Sequence, residues 1–213
     1  MDRRWHLLTA VVASVAVLFQ LVLVVQGGPV LDEVEPPSLP VALARFVAYF
    51  TIQSNVLVAA AAWLLARDPG LDSAAFRRLR LAGTSGITVT GIVHFVLLRP
   101  LLDLDGADWA ADKLLHMVVP VLAVAGWVAF GPRGRIDRGA VAVAIGWPVL
   151  WLLVTLVVGA LSGWYPYPFL DPDEDGVLAV VVACGGVTAL FLAVVGALAA
   201  LDRRLPERAH SAP

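Results

Sequence analysis

The sequence has a single cysteine, a single lysine and charge on only 15% of its 213 positions. One Cys184 excludes an internal disulfide, and within an apolar stretch it reads as a buried structural thiol. Sparse charge also excludes a soluble domain, because 60% of the residues are hydrophobic. That is more than a core requires, and the surplus must face lipid. The formal net charge of −2 offers no general pull toward nucleic acid, so no nucleic-acid partner is expected. Any electrostatic meaning lies in where the charges stand.

What the chain does have is apolar runs, at residues 7–25, 46–66, 79–98, 114–130, 140–161 and 177–201. A spanning helix needs about 20 such residues. The pattern therefore predicts an all-α polytopic membrane protein: one six-transmembrane-helix bundle over residues 1–213, with short loops and no room for a second domain. Arg3 and Arg4 before the first run imitate a signal peptide. The run is longer than a usual signal core, however, and Gln26-Gly27-Gly28-Pro29 lacks a small-x-small cleavage pattern, so the helix is expected to be retained. The third run is loaded with Gly83, Thr84, Ser85, Gly86, Thr88, Thr90 and Gly91, which suits a helix packed inside the bundle.

Basic residues fall on alternate loops: Arg3 and Arg4; Arg67, Arg77, Arg78 and Arg80; Arg133, Arg135 and Arg138; Arg203, Arg204 and Arg208. The intervening loops carry Asp32, Glu33 and Glu35, then Asp103, Asp105, Asp108 and Asp112, then Asp171, Asp173, Glu174 and Asp175. The positive-inside rule then predicts that the N-terminus and C-terminus are both cytoplasmic. Fourteen arginines against one lysine suggest a GC-rich bacterial genome and hence a bacterial plasma (inner) membrane, crossed in multi-pass fashion. The short polar C-terminus is expected to fray. Arg45, Arg99 and Lys113 break the alternation together, each at the outer end of a run. They read either as snorkelling anchors or as an electropositive rim that could bind the carboxylate or phosphate of an amphiphile.

Within the second run, about 100° per residue places Val47, Thr51, Ser54, Asn55 and Val58 on one stripe, with Tyr49 and Gln53 nearly opposite. Hydroxyls bonded back to their own helix, with Asn55 joining helices, account for such a stripe without function. The fourth run holds His116, an expensive residue at membrane depth. Asp112 lies one turn earlier on its face, able to fix the tautomer through one ring nitrogen and leave the other as a base. Pro120, one turn later, removes the N–H that would bond the His116 carbonyl and predicts a kink.

Helix direction and rise then act as a ruler. At 1.5 Å per residue, Thr51, sixteen positions before Arg67, and His116, fifteen before Gly131, both lie about 22 to 24 Å from the cytoplasmic edge. His94, fourteen beyond Arg80 on a helix of opposite direction, reaches about 21 Å. The three residues share a layer beneath Arg45, Arg99 and Lys113. Three chemistries fit it. A threonine beside a neutral histidine can attack an ester or amide, with Asn55 or Ser54 donating to the oxyanion. His94, His116 and Asp112 could hold zinc, although no regular ligand spacing supports that. A polar cavity could also bind or pass a solute without chemistry. The loop Gly163-Trp164-Tyr165-Pro166-Tyr167-Pro168-Phe169-Leu170-Asp171 reads as an interfacial aromatic belt or, stiffened by its prolines, as a lid. Trp147-Pro148 and Thr155 read as a kink and a packing hydroxyl.

Tyr49 to Asn55, Thr90-Gly91-Ile92-Val93, Leu115-His116 with Pro120, Trp147-Pro148 and the loop Gly163 to Asp171 give the chain, over nearly its whole length, a family resemblance. It resembles prokaryotic six-helix integral membrane proteins distantly related to the androgen-induced membrane hydrolases of animals, which use an intramembrane threonine and histidine to hydrolyse fatty acid esters of hydroxy fatty acids. By position, the resemblance implies Thr51 and His116 as the catalytic pair and a lipid-like ester as substrate, with Asp112, Asn55 and Ser54 in the supporting roles already read from the residues. A fatty-acyl or other amphiphilic ligand would then lie near Arg45, Arg99, Lys113, His94, Tyr165 and Tyr167, with no metal and no cofactor. His94 departs from the pattern, standing where relatives are expected to carry an aromatic residue, which weakens the zinc alternative. The other reading is a non-catalytic membrane protein that binds or transports a small amphiphile.

Overall fold

The computed structural model describes residues 2–27 and 37–205. The acidic residues Asp32, Glu33 and Glu35, the Gly28-Pro29 pair and Arg208 lie outside the described residues. Among the described residues the chain is helical throughout, with no strand. The helices are α1 (Asp2–Val25), α2 (Leu39–Ala48), α3 (Phe50–Arg67), α4 (Ala74–Val93), α5 (Gly106–Lys113), α6 (Val119–Phe130), α7 (Arg138–Ser162), α8 (Pro172–Asp175) and α9 (Val177–Arg204). A π turn (His94–Leu98) and a 3-10 turn (Arg99–Leu101) prolong α4, a second π turn (Leu114–Val118) joins α5 to α6, and a 3-10 turn covers Pro168–Leu170. Six helical stretches are long and apolar enough to cross a membrane: Asp2–Val25, Phe50–Arg67, Ala74–Leu101, Gly106–Phe130, Arg138–Ser162 and Val177–Arg204.

The first, third and fourth stretches start earlier than the expected 7, 79 and 114, the fourth by a full two turns at Gly106, and only the second starts later than its expected 46 by breaking the helix. The second span begins at Phe50, and the preceding residues form the separate α2. Tyr49 takes an extended conformation, φ −62° and ψ 126°, and is the N-cap of α3. No proline or glycine forces this break; side chains stabilise it. Gln53 Nε2 donates to the Val47 carbonyl at 3.0 Å, and Trp151 Nε1 donates to the Ala48 carbonyl at 2.8 Å. Two of the carbonyls that a helix end leaves without partners are thereby satisfied. The stripe is corrected accordingly. Val47 belongs to α2 and is 59% exposed, whereas Tyr49, expected on the opposite face, is buried.

α3 and α4 form the centre. In each, 61% of the apolar stretch is buried, against 11% in α7 and α9, which stand on the lipid side. The small residues of α4 serve the role expected of them, with Gly83, Thr84, Ser85 and Gly86 all buried. α1 approaches α3 through Ala10, Ala13 and Ala16, each with no exposed surface. Small side chains at this spacing let membrane helices approach closely.

The basic loops meet at one end of the bundle. Arg3 Nε donates to the Ala66 carbonyl at 2.8 Å, bringing the start of α1 to the end of α3. Arg135 Nη1 donates to the Leu71 carbonyl at 2.8 Å, and the Ile136 amide donates to Asp202 Oδ2 at 2.9 Å. The buried Arg80 donates to the carbonyls of Gly131 and Pro132. This Arg-rich face is tied shut by side chain-to-backbone bonds. The opposite, acidic face carries the 102–105 and 163–176 loops.

Candidate active site

Three helix irregularities converge toward the acidic face. The break at Tyr49 puts Thr51 in the first turn of α3, where backbone amides have no partner within the helix. His94 opens one π turn and His116 sits inside the other. At His116 the expected kink takes a definite form. Pro120 cannot supply the α-helical bond to the His116 carbonyl, and the Val119 amide instead reaches back five residues to the Leu114 carbonyl, adding one residue to the turn. The two turns meet because Gly91 has no side chain. A Cβ there would stand 3.2 Å from the His116 carbonyl oxygen and 3.3 Å from the Pro120 ring.

The residues placed level by the helix rise are in contact. Thr51 Oγ1 is 3.3 Å from His116 Nε2, a separation that a bound substrate would be expected to tighten. His116 Nδ1 is 2.9 Å from Asp112 Oδ1 and 3.1 Å from the Asp112 carbonyl oxygen. Nδ1–H therefore faces acceptors and Nε2 faces the threonine, the tautomer a base requires. Asp112 lies inside the bundle, 6% exposed, although its place in the sequence is among the loop acids. Its other oxygen accepts from Lys113 Nζ at 2.6 Å. Lys113 thus supports the site and does not stand free at a rim.

His94 stacks on His116, with ring centroids 3.9 Å apart and an interplanar angle of 11°. Its Nε2 is 3.2 Å from Asp112 Oδ1, off the direction of a hydrogen bond, and both of its ring nitrogens are buried without a directed partner. His94, Asp112 and His116 are close enough for a metal to be considered. The ring orientation argues against it. An ion at about 2.0 Å from each nitrogen lies in the plane of each imidazole, and two nearly parallel stacked rings have planes that do not meet there. The arrangement fits two stacked imidazoles, of which His116 is hydrogen-bonded to Asp112, better than a coordination sphere.

The supporting residues are placed differently from one another. Asn55 Nδ2 donates to the Thr51 carbonyl at 2.8 Å and to the Leu115 carbonyl at 3.4 Å, joining α3 to the His116 turn. Ser54 is fully buried and accepts from Thr90 Oγ1 at 3.5 Å. Both side chains hold helices together. The remaining partner at Thr51 is Tyr167, whose hydroxyl accepts from the Thr51 amide at 3.2 Å and lies 3.2 Å from Thr51 Oγ1, within hydrogen-bond reach. Burial pushes the Tyr167 phenol above its ordinary value, its hydrogen bond with Thr51 opposing the shift, so the hydroxyl keeps its proton. Sequence reading had set Tyr167 beside Tyr165 as a ligand contact, and only the fold reveals a reach across 116 positions to the threonine. Tyr165 instead packs on α7. A Cβ on Gly159 would stand 2.0 Å from its ring.

Arg45 lies 4.9 Å from the centroid of the Trp164 ring, and Arg99 lies 5.3 Å from that of Phe95. Two cavities flank Thr51. One, about 670 Å³, is lined by Gln20, His94, Asp108, Asp112 and His116 among others; the second, about 820 Å³ with its mouth included, is almost wholly apolar. Thr51, Leu98 and Tyr167 line both, whereas Arg45, Arg99, Lys113 and Tyr165 line neither. No protein-family model, no curated protein and no solved structure matches this chain.

Proposed function

We propose that this chain is an intramembrane threonine hydrolase acting on a lipid-like carboxylic ester. The observation that carries the reading is the ordered series Thr51 Oγ1, His116 Nε2, His116 Nδ1, Asp112 Oδ1, with links of 3.3 and 2.9 Å on either side of the imidazole. That order of nucleophile, base and orienting carboxylate is what acyl transfer requires, on any fold. It also agrees with the resemblance to the androgen-induced membrane hydrolases, which pairs the same threonine and histidine. The orientation follows the positive-inside rule: both termini cytoplasmic, the site in the outer half of a bacterial plasma membrane.

Thr51 Oγ1 attacks the ester carbonyl while His116 Nε2 takes its proton. The oxyanion accepts a hydrogen bond from the Tyr167 hydroxyl, aided by the positive end of α3, where charge develops and water is scarce. His116 then returns the proton to the alkoxide as the bond to the alcohol breaks, leaving an acyl-threonine. Water, deprotonated by His116, cleaves that ester, frees the acid and restores Thr51.

A fluorophosphonate probe tests the assignment. The purified protein labels, Thr51→Ser retains labelling, and Thr51→Ala and His116→Ala lose it while melting as the parent does. Equal labelling in the two alanine variants would remove Thr51 as the nucleophile. A protein that only binds an amphiphile would be stabilised by its ligand and would turn over no ester.

A further inference from the structure

The placement of the base relative to the two cavities determines how a substrate must lie. This step rests on the hydrolase reading. His116 must protonate the leaving oxygen, so the alcohol half of the ester lies on the imidazole side of Thr51, in the polar cavity that His116 lines. The acyl half has to leave the carbonyl on the other side. There the apolar cavity begins, at Thr51 and Tyr167, and runs between α4, α7 and α9 past Trp151, Val187 and Phe191.

Among the described residues its lining holds no charged side chain; the polar side-chain groups are those of Thr51, Thr90, Tyr167 and Thr188, the Trp151 indole N–H and the Cys184 thiol. Val149 of α7, 47% exposed, and Leu192 of α9, 52% exposed, stand at its edge. These two helices are the least buried spans, so the cavity opens sideways to lipid.

We infer that this groove between α7 and α9 binds the fatty-acyl chain of the substrate, entering from the bilayer, and that the polar cavity takes an uncharged alcohol. The second half follows from charge. The polar cavity presents the carboxyl group of Asp108, has Asp112 already paired with Lys113 at 2.6 Å, and has no Arg or Lys among its described lining residues, so a leaving group carrying a carboxylate would meet like charge at Asp108 and no cation free to bind it. That departs from the hydroxy fatty acid expected from the resemblance.

The chain's only cysteine lines the groove and lets it be plugged without mutation. Reaction of the folded protein with hexadecyl methanethiosulfonate lowers turnover of palmitoyl esters at least tenfold and changes acetyl esters of the same alcohol less than twofold; dithiothreitol reverses the loss. Methyl methanethiosulfonate affects neither ester, and Cys184→Ser gives the same rates with and without the long reagent. Equal loss for both esters, or loss for neither, overturns the groove assignment.

A second arm needs no turnover. In Thr51→Ala, methyl palmitate slows maleimide labelling of Cys184 at least fivefold, and methyl acetate does not. Protection in a protein that hydrolyses no ester leaves the groove standing and rejects the hydrolase. Turnover of palmitoyl esters without protection does the reverse. Bilayer acyl chains, the other source of the same chemistry, would protect in nanodiscs without added ester and give no difference between methyl palmitate and methyl acetate, which also overturns the assignment. For the alcohol half, the palmitoyl ester of dodecanol is hydrolysed at least tenfold faster than that of 12-hydroxydodecanoate; the opposite order overturns it.

Discussion

The two ends of the bundle use their polar residues in opposite ways. At the Arg-rich face, long side chains reach across loops to close backbone carbonyls: Arg3 to Ala66, Arg80 to Gly131 and Pro132, Arg135 to Leu71. Asp72 and Asp137 are held below the ordinary carboxylate range, Asp72 mainly by its bond with Arg77, Asp137 mainly by the Ala140 amide that it caps. The polar groups named there serve the architecture. Toward the acidic face, one helix is broken and two are widened by an extra residue in a π turn, and the polar groups face one another around cavities. His94 keeps two ring nitrogens without a directed partner, a cost that a purely structural site would not be expected to carry. The contrast separates an end built for stability from the end proposed to carry the chemistry.

The sharpest way to break that contrast is to remove the nucleophile or the base. Thr51→Ala and His116→Ala should each reduce ester turnover about 10³-fold or more while leaving the thermal midpoint near the parent's, read by hydrolysis rates beside calorimetry. At the other end the pattern inverts. Arg80→Met leaves two buried carbonyls without donors and should cost about 3 kcal/mol in chemical denaturation, with no change in turnover by the protein that remains folded. Tyr167→Phe removes the hydroxyl beside Thr51 and should lower kcat about 10²-fold with little effect on KM, measured by steady-state kinetics. Gly91→Ala pushes a methyl toward the His116 carbonyl and should slow turnover about tenfold by separating the imidazoles from Thr51, detected as lost fluorophosphonate labelling rate. The half-exposed Arg77 pairs with Asp72 at 2.6 Å and Asp137 at 3.2 Å, and Arg77→Gln should change neither the melting curve nor turnover measurably, since solvent-accessible ion pairs contribute little.

Much of this was legible in the chain, for reasons of scale. Six apolar runs and alternating arginines are signals of about 20 residues each, and the expected ends of most spans fall within a few residues of those observed. The rise of a helix, applied from the basic loops, placed Thr51, His94 and His116 level, and they touch. What stayed hidden depends on partners distant in sequence. The break at Tyr49 has no proline or glycine to announce it; Gln53 reaches back and Trp151 reaches across from α7 to stabilise it. α2, at ten residues, falls below the length at which apolarity signals a span. Pro120 announced a distortion at His116, but whether a helix kinks or takes in an extra residue is decided by what packs against it, here Gly91. The proximity of Tyr167 to Thr51 is a loop closing over a bundle, and no local pattern encodes it.

The two π turns carry a consequence for how such a site arises. Each holds one residue more than a regular helix would, so deleting a single residue from either would restore an ordinary helix and swing everything beyond it by about 100° around the axis. His116 and Asp112 would then face lipid or a neighbouring helix with every side chain in the site still encoded. The proposed chemistry would then depend on the phase between two segments as much as on residue identity, and a lineage could lose it, or acquire it, through one inserted or deleted codon.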